Sequence, residues 1–133
     1  MLNTEHEVVN VDKLTYAGNV RSLKDVTSNK RFFFELSDIC NRKKIESILY
    51  KYKPDKIMHL AAESHVDRSI DDSSEFIQTN IVGTHTILEL ARVYWLQLNN
   101  LKKDSFIFHH VSTDEVYGDL DIPGELFTEN TPY

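Results

Sequence analysis

The class of fold is indicated by the stretch Val8-Val9-Asn10-Val11-Asp12-Lys13-Leu14-Thr15, in which a short apolar run ends at an acidic residue. A run of this length, rich in β-branched residues, predicts a buried strand. In sheets that bind dinucleotides, an acidic residue at a strand end accepts hydrogen bonds from a ribose, about 20 residues after a glycine-rich turn. Only 11 residues precede Asp12 and none is glycine. We therefore expect a dinucleotide-binding sheet without its phosphate-binding turn.

Further along the chain, strand-like runs alternate with helical patterns. Phe32-Phe33-Phe34 with Leu36 predicts a second strand that ends near Asp38, and two more strands are predicted over residues 57–62 and 106–111. Asn41 is a plausible helix N-cap, since apolar residues recur three or four apart after it. A longer helix is predicted over residues 73–98, with a stripe formed by Ile77, Ile81, Thr84, Leu88, Ala91 and Trp95.

This alternation is typical of an α/β fold, a doubly wound parallel sheet with right-handed crossovers. We expect residues 1–133 to form one incomplete Rossmann-like domain that lacks its first strand and its C-terminal part. In the strand order 3-2-1-4-5-6, the absent strand would lie between the strands ending at Asp12 and Ala62. The centre of the sheet would then be open, and exposed edges pair wrongly or aggregate. We therefore expect the isolated chain to be marginally stable.

The composition narrows the class of protein. The chain has 133 residues, of which 41% are hydrophobic and 27% are charged, as in one ordinary domain or part of a larger protein. Its net charge of -6 argues against nonspecific binding to nucleic acid or anionic membranes. The single Cys40 cannot form an internal disulfide. Since we find no signal-like segment or long apolar stretch, we expect a cytoplasmic location.

Polar residues follow each predicted strand. Ligands of open parallel sheets bind at the carboxyl ends of the strands, so these residues predict a binding site: Asp12, Asp38, Glu63-Ser64-His65 and Ser112-Thr113-Asp114-Glu115. Four histidines, His59, His65, His109 and His110, raise the question of a metal. Their spacing does not fit compact ligand motifs, and we predict no metal site.

The same stretches resemble nucleotide-sugar dehydratases of the extended short-chain dehydrogenase/reductase superfamily. The similarity lies in Asp12-Lys13-Leu14-Thr15-Tyr16-Ala17-Gly18-Asn19, in Asp38-Ile39-Cys40 and in residues 59–69. Within this group, Ser112-Thr113-Asp114-Glu115-Val116-Tyr117-Gly118 resembles the dTDP-glucose 4,6-dehydratase family. Related epimerases lack the Asp-Glu pair, and GDP-mannose dehydratases have a sequence similar to Thr-Ser-Glu at these positions. The resemblance covers essentially the whole chain.

The resemblance implies NAD as the cofactor. Asp12 would bind the adenosine ribose and repel a 2′-phosphate, Asp38 and Ile39 would lie beside the adenine, and residues 60–64 would pass beneath the nicotinamide. The implied cofactor-binding residues are Asp12, Lys13, Leu14, Thr15, Asp38, Ile39, Leu60, Ala61, Ala62, Glu63, Ser64 and Thr79.

Each of these residues also has an ordinary structural interpretation. A strand-end Asp such as Asp12 is commonly a turn residue, and Asp38 with Ile39 is compatible with the cap region of a helix. Thr79 would lie on a helix surface. The adjacent carboxyl groups of Asp114 and Glu115 could simply be solvated.

The resemblance also implies the reaction, which is dehydration of dTDP-glucose to a 4-keto-6-deoxy sugar. Oxidation at C4 by NAD would acidify the C5 proton, which Glu115 would remove while a protonated Asp114 donates to the departing C6 hydroxyl. An elimination needs both a base and an acid. Thr113 would bind the sugar near C4, and Ser64 would contact substrate or cofactor.

The superfamily removes the C4 hydroxyl proton with the tyrosine of a Tyr-x-x-x-Lys motif. Neither Tyr16 nor Tyr117 is followed by lysine at the fourth position. We expect the base and most of the substrate-binding surface to lie beyond Tyr133, so the chain alone would be inactive.

Two other functions remain open. One is a noncatalytic module that pairs with intact subunits through the long helix, since superfamily members resemble dimers built on such helices. A homodimer is accordingly expected of the full-length parent. The other is a different nucleotide-sugar enzyme such as an epimerase, against which the Asp114-Glu115 pair argues. The resemblance to dehydratases implies a product that feeds deoxysugars of cell-surface polysaccharides or antibiotics.

Overall fold

Four short strands form two separate parallel pairs. The computed structural model describes residues 4–65, 67, 70, 72–119 and 126–133. Its strands are β1 (Val8–Asp12), β2 (Phe32–Leu36), β3 (Lys56–His59) and β4 (Ile107–His110). They form two parallel pairs, β1 with β2 and β3 with β4. Within the described residues the two pairs are not hydrogen-bonded to each other. The predicted parallel α/β architecture is confirmed.

The helices lie between and after the strands. They are α1 (Arg42–Tyr52), α2 (Ser74–Phe76), α3 (Thr84–Leu96) and α4 (Asn100–Ser105). A π-helical segment, Ile77–Gly83, joins α2 to α3 without a break. The helix predicted over residues 73–98 is therefore correct in position, but its first half is wound differently. Helix α4 was not predicted from the sequence.

Three strand boundaries differ from the prediction. The second strand ends at Leu36, the third at His59 rather than Ala62, and the fourth spans only Ile107–His110. The ladder of the second pair closes where the Val111 amide donates to the His59 carbonyl at 3.0 Å, so residues 60–62 are free to form a loop. Val66, Arg68, Ser69, Pro123 and Gly124 lie outside the described residues.

Helix α1 begins and ends as its sequence indicates. The Asn41 side chain accepts a hydrogen bond from the Lys44 amide at 3.1 Å, which confirms the predicted N-cap. At the other end Lys53 has a left-handed backbone, with φ of 49°. This conformation stops the helix directly before Pro54, where a helical backbone is disfavoured.

One helical layer supports both strand pairs. Its buried core comprises Ile45, Ile48 and Leu49 of α1 with Leu90 and Tyr94 of α3. Val9 and Val11 of β1 and Ile57 of β3 pack against this core. The opposite face of the strands is more exposed, as at Leu36 (61% exposed) and Met58 (62%). Among the described residues, no helix has both the length and the apolar character to cross a membrane.

A buried carboxylate joins β2 to α1. Glu35 accepts hydrogen bonds from Lys44 Nζ at 2.8 Å, Lys51 Nζ at 2.7 Å and the Tyr52 hydroxyl at 2.9 Å. The Lys44 contact, followed by those of Lys51 and Tyr52, lowers the pKa of Glu35 to about 2. The carboxylate is therefore ionised and fully paired at neutral pH, although it lies in the interior.

Candidate functional site

The loops that follow the strands leave each pair at its carboxyl end. The Ser37 amide donates to the Asp12 carbonyl at 3.0 Å, so residues 12–15 and 37–40 are neighbours. In the other pair, the register of His59 with His110 brings residues 60–64 beside residues 111–115. All the residues predicted to bind cofactor or substrate lie in these loops, except Thr79.

Asp12 forms the turn that its position at a strand end indicates. Its Oδ1 atom accepts a hydrogen bond from the Leu14 amide at 2.7 Å, and Leu14 has a positive φ of 53°. The turn directs the chain away from β1 and leaves the second carboxylate oxygen able to accept further hydrogen bonds. The ribose-binding role of Asp12 stays a prediction, as do those of Lys13, Leu14 and Thr15.

Asp38 is paired with a lysine from the neighbouring loop. Its Oδ1 accepts from the Cys40 amide at 2.7 Å, and its Oδ2 lies 3.5 Å from Lys13 Nζ. Burial acts to raise the pKa of Asp38, but the Cys40 hydrogen bonds and the Lys13 charge lower it overall. The carboxylate is thus an ionised acceptor, as an adenine amino group would require.

Thr79 lies in the interior rather than on a helix surface. It is 4% exposed, and Lys13 Nζ donates to its Oγ1 at 3.4 Å. The same ammonium group lies 3.7 Å from Glu75. The helix-surface interpretation is therefore wrong. Thr79, Lys13 and Asp38 form one cluster across two loops and a helix.

Ile39 and Cys40 pack against the π segment. A Cβ atom at Gly83 would lie 2.5 Å from Ile39 Cδ1, so glycine is what allows this approach. The Cys40 thiol donates to the Gln78 carbonyl at 3.2 Å. Burial, with the nearby Asp38 carboxylate, raises the pKa of Cys40. Ile39 is 7% exposed and already packed, so its predicted contact with adenine would use only its remaining edge.

The loop of residues 60–64 is exposed except at Glu63, which is held by its backbone. The Glu63 amide donates to Asn80 Oδ1 at 2.9 Å, and the Glu63 carbonyl accepts from Asn80 Nδ2 at 2.9 Å. The Tyr16 hydroxyl donates to Glu63 Oε2 at 3.1 Å. Leu60, Ala61, Ala62 and Ser64 leave their side chains open to a ligand. Sequence reasoning missed Asn80, which gives no signal beyond a polar residue next to Thr79.

Thr113, Asp114 and Glu115 form a small group after β4. The Thr113 hydroxyl accepts from the Glu115 amide and donates to Asp114 Oδ1, both at 3.4 Å. It thereby caps a single 3-10 turn, Asp114–Tyr117. Both carboxyl groups are exposed and follow β4, the strand that pairs with β3 before the loop of Ser64. The catalytic assignments of the three residues stay predictions.

The four histidines are not gathered around a common point. His59 is 2% exposed and its Nε2 lies 3.0 Å from Thr84 Oγ1, while its ring packs at 5.1 Å from that of His110. In the part of the chain that the structure describes, no group of three or more His, Cys, Asp or Glu side chains could hold a metal ion.

One pair of residues does have Tyr-x-x-x-Lys spacing, namely Tyr52 and Lys56. Tyr52 is the last residue of α1 and Lys56 is the first of β3, with Pro54 between them. The Tyr52 hydroxyl donates to buried Glu35 at 2.9 Å, so it is held by the contact between α1 and β2. The pair is therefore structural, and the spacing in this case is coincidental.

Part of a dinucleotide site fits the residues described. The second carboxylate oxygen of Asp12 suits an adenosine ribose, and ionised Asp38 suits an adenine amino group. The small side chains of Ala61 and Ala62 would let a flat ring approach the backbone closely. Residues 1–11, which precede Asp12, contain no glycine and so hold no glycine-rich turn that could cradle a pyrophosphate. The fit thus covers the two ends of a dinucleotide and not its phosphates.

Comparison with known proteins identifies the family. The model of the family described as "GDP-mannose 4,6 dehydratase" matches residues 1–133. The chain belongs to this family. One curated relative is the dTDP-glucose 4,6-dehydratase of Neisseria gonorrhoeae, which is 58% identical to this chain over 131 residues. The match covers 98% of this chain and 38% of that protein. The resemblance to dTDP-glucose 4,6-dehydratases is therefore confirmed.

Solved structures of dTDP-glucose 4,6-dehydratases share the fold of this chain. A dTDP-glucose 4,6-dehydratase from Streptomyces venezuelae, solved with NAD bound, is 39% identical with a TM-score of 0.79, over 98% of this chain and 36% of that one. The corresponding enzyme from Bacillus anthracis, in complex with NAD, is 32% identical with a TM-score of 0.76, over 96% and 35% of the two chains. The chain thus spans less than two fifths of the length of these relatives.

Proposed function

We propose that this chain supplies the adenosine-binding, nicotinamide-facing and elimination residues of an NAD-dependent dTDP-glucose 4,6-dehydratase. The observation that carries the proposal is the position of Asp12, Asp38, residues 60–64 and Asp114-Glu115, all at the carboxyl ends of two parallel strand pairs. The identity of 58% to a named dehydratase supports the substrate class.

The cofactor roles follow from acceptors and small side chains. The free oxygen of Asp12 accepts from the adenosine ribose hydroxyls, and its charge disfavours a 2′-phosphate. Asp38 accepts from the adenine amino group. Ala61 and Ala62 leave room for the nicotinamide ring beside the loop, and Ser64 contacts cofactor or sugar. NAD, when bound, supplies the oxidation at sugar C4 and returns the hydride to C6.

The elimination roles belong to the group after β4. Glu115 removes the C5 proton, Asp114 in its protonated form donates to the departing C6 hydroxyl, and Thr113 hydrogen-bonds the sugar near C4. General acid and general base catalysis each contribute about 10²–10⁴-fold to such steps. Both carboxyl groups are exposed in this chain, and the sugar itself would remove water from them.

Cofactor choice is the first test. We expect isothermal titration calorimetry to show tighter binding of NAD⁺ than of NADP⁺ to a chimera in which this chain replaces the matching 131 residues of the Neisseria gonorrhoeae relative. Asp12→Asn should narrow this difference because the repelling charge is lost. Asp25→Asn removes the same charge from an exposed turn and serves as the matched control. Equal affinity for the two cofactors in the unmodified chimera would contradict the assignment of Asp12.

The dehydration step is tested in the same chimera. Asp114→Asn should leave C4 oxidation measurable but slow release of water by about 10²–10⁴-fold, since the general acid is lost. Asp104→Asn, on the exposed surface of α4, should have no effect. An unchanged rate of 4-keto-6-deoxy sugar formation would remove Asp114 from the mechanism. The 133-residue chain alone should form no product.

A second function is favoured by one observation. Helix α3 exposes Leu88 and Trp95, which with Phe106 and Phe108 line an open apolar groove of about 390 Å³. A noncatalytic chain could pair with an intact subunit through this helix, and the full-length parent would be a homodimer by the same surface. Co-purification of the chain with the full-length Neisseria gonorrhoeae relative, lost on Trp95→Ala, would support pairing.

A cytoplasmic location and a product used in deoxysugar synthesis belong to the proposal as well.

A further inference from the structure

The π segment, Ile77–Gly83, touches the chain after three different strands. Thr79 receives the hydrogen bond of Lys13, which follows β1. The Gln78 carbonyl accepts from Cys40, which follows β2, and Asn80 binds Glu63, which follows β3. Because the two strand pairs are not bonded to each other, this segment is a direct link between their carboxyl ends.

Asn80 makes the contact to β3 with both ends of its amide. One atom accepts from the Glu63 N–H and the other donates to the Glu63 C=O, each at 2.9 Å. A side-chain amide paired in this way imitates a neighbouring strand and fixes the orientation of the peptide. Two such hydrogen bonds stabilise the arrangement by about 1–3 kcal/mol together.

Adjacent residues of the segment face different loops. Successive side chains of an α-helix are separated by about 100°, and a π turn, which is frequent at functional sites, holds one more residue in each hydrogen-bonded ring. Here Thr79 is directed to the Lys13 loop while Asn80 is directed to Glu63.

We propose that Asn80 is a positioning residue: its amide holds the peptide of Glu63 and thereby fixes the path of residues 60–64 at the carboxyl end of β3. The inference rests on the proposed function for the role of that loop beneath the nicotinamide. Asn80 itself does not touch the reacting atoms. It acts on the cofactor site through the backbone of a loop whose own side chains, apart from that of Glu63, are exposed.

The test uses the chimera with the Neisseria gonorrhoeae relative and two readouts. Hydrogen-exchange mass spectrometry of the peptide around Glu63 reports the hold on the loop, and calorimetry with NAD⁺ reports the site. Asn80→Ala should speed exchange of the Glu63 amide and weaken NAD⁺ binding, each by about tenfold. Asn80→Asp keeps an acceptor for the Glu63 N–H but loses the donor. Its exchange rate and NAD⁺ affinity should therefore lie between those of Asn80→Ala and those of the unmodified chimera.

Two controls separate positioning from general stability. Gln78→Ala changes an exposed side chain of the same segment and should alter neither readout. Leu98→Ala removes packing next to the core and should lower the melting temperature without a change in NAD⁺ affinity. Faster Glu63 exchange with unchanged NAD⁺ affinity, or unchanged exchange in Asn80→Ala, would overturn the proposal. If the unmodified chimera bound no NAD⁺, the proposed function would fail, whereas the exchange rates would still decide whether Asn80 holds the loop.

Discussion

His59 shows how a single residue couples the sheet to the long helix. Its ring is buried, lies 3.0 Å from the Thr84 hydroxyl and packs beside the rings of His110 and Phe108. Burial, together with the nearby His110, lowers the pKa of His59 below its ordinary value of 6.5. The neutral form is therefore the one that fits the folded protein.

This burial predicts a pH dependence of stability. Below pH 6.5 the unfolded chain binds a proton that folded His59 does not, so stability is present above that pH and is lost as the pH falls toward the lower, folded-state pKa. Thermal melts between pH 8 and pH 5 should show this decline in the chimera. His59→Gln should flatten it, whereas His85→Gln, at an exposed position, should leave it intact. An unchanged slope in His59→Gln would assign the dependence to another group.

The π segment is the element that sequence patterns describe least well. The apolar stripe of residues 73–98 correctly predicts a continuous helix. It does not mark the buried face, because Ile77, Ile81 and Leu88 are exposed whereas Leu90 and Tyr94 are in the core. It does not reveal the π turn, because a change from i+4 to i+5 bonding alters the register by a single residue. Gly83, within this turn, allows the close contact with Ile39.

The Gly83 contact predicts a coupled pair of substitutions. Gly83→Ala should destabilise the protein by about 1–3 kcal/mol through overpacking against Ile39, opposed in part by the roughly 1 kcal/mol by which alanine favours a helix. Ile39→Ala removes Cδ1 and Cγ1, the two atoms that a new Cβ would meet at 2.5 and 2.7 Å. In the double variant, the loss of stability caused by Gly83→Ala should be much smaller relative to Ile39→Ala alone, as measured by urea unfolding in a double-mutant cycle. If the two substitutions changed the free energy of unfolding additively, the Ile39 side chain would not be the one that the new Cβ meets.

At the scale of the whole molecule, the two strand pairs share a helical layer but not a sheet. In the described part of the chain, β1 and β3 each have one hydrogen-bonded neighbour, so each presents an unpaired edge. The face away from the helices exposes Leu36, Met58 and Ile107. The pair β2-β1 matches positions 3-2 of a Rossmann sheet and the pair β3-β4 matches positions 4-5. In that strand order, position 1 lies between positions 2 and 4.

Open edges and an exposed apolar face predict low stability for the isolated chain. We expect no cooperative melt above room temperature and a tendency to self-associate, seen by calorimetry and light scattering. The same residues within the chimera should melt cooperatively, with slow hydrogen exchange in β1 and β3. A cooperative transition well above room temperature in the purified monomer would contradict this expectation.

Sequence patterns alone predict the class of fold, the approximate positions of the elements, the Asn41 cap and the polar residues at the strand ends. These features depend on neighbours a few residues apart, so local periodicity reveals them. Its family resemblance was likewise readable from short motifs. The folded structure was needed to reveal the burial of Thr79, its contact with Lys13 66 residues away, and the pairing of Asn80 with Glu63 across 17 residues. Such contacts form when packed helices and strands bring distant side chains together, and no local pattern records that distance.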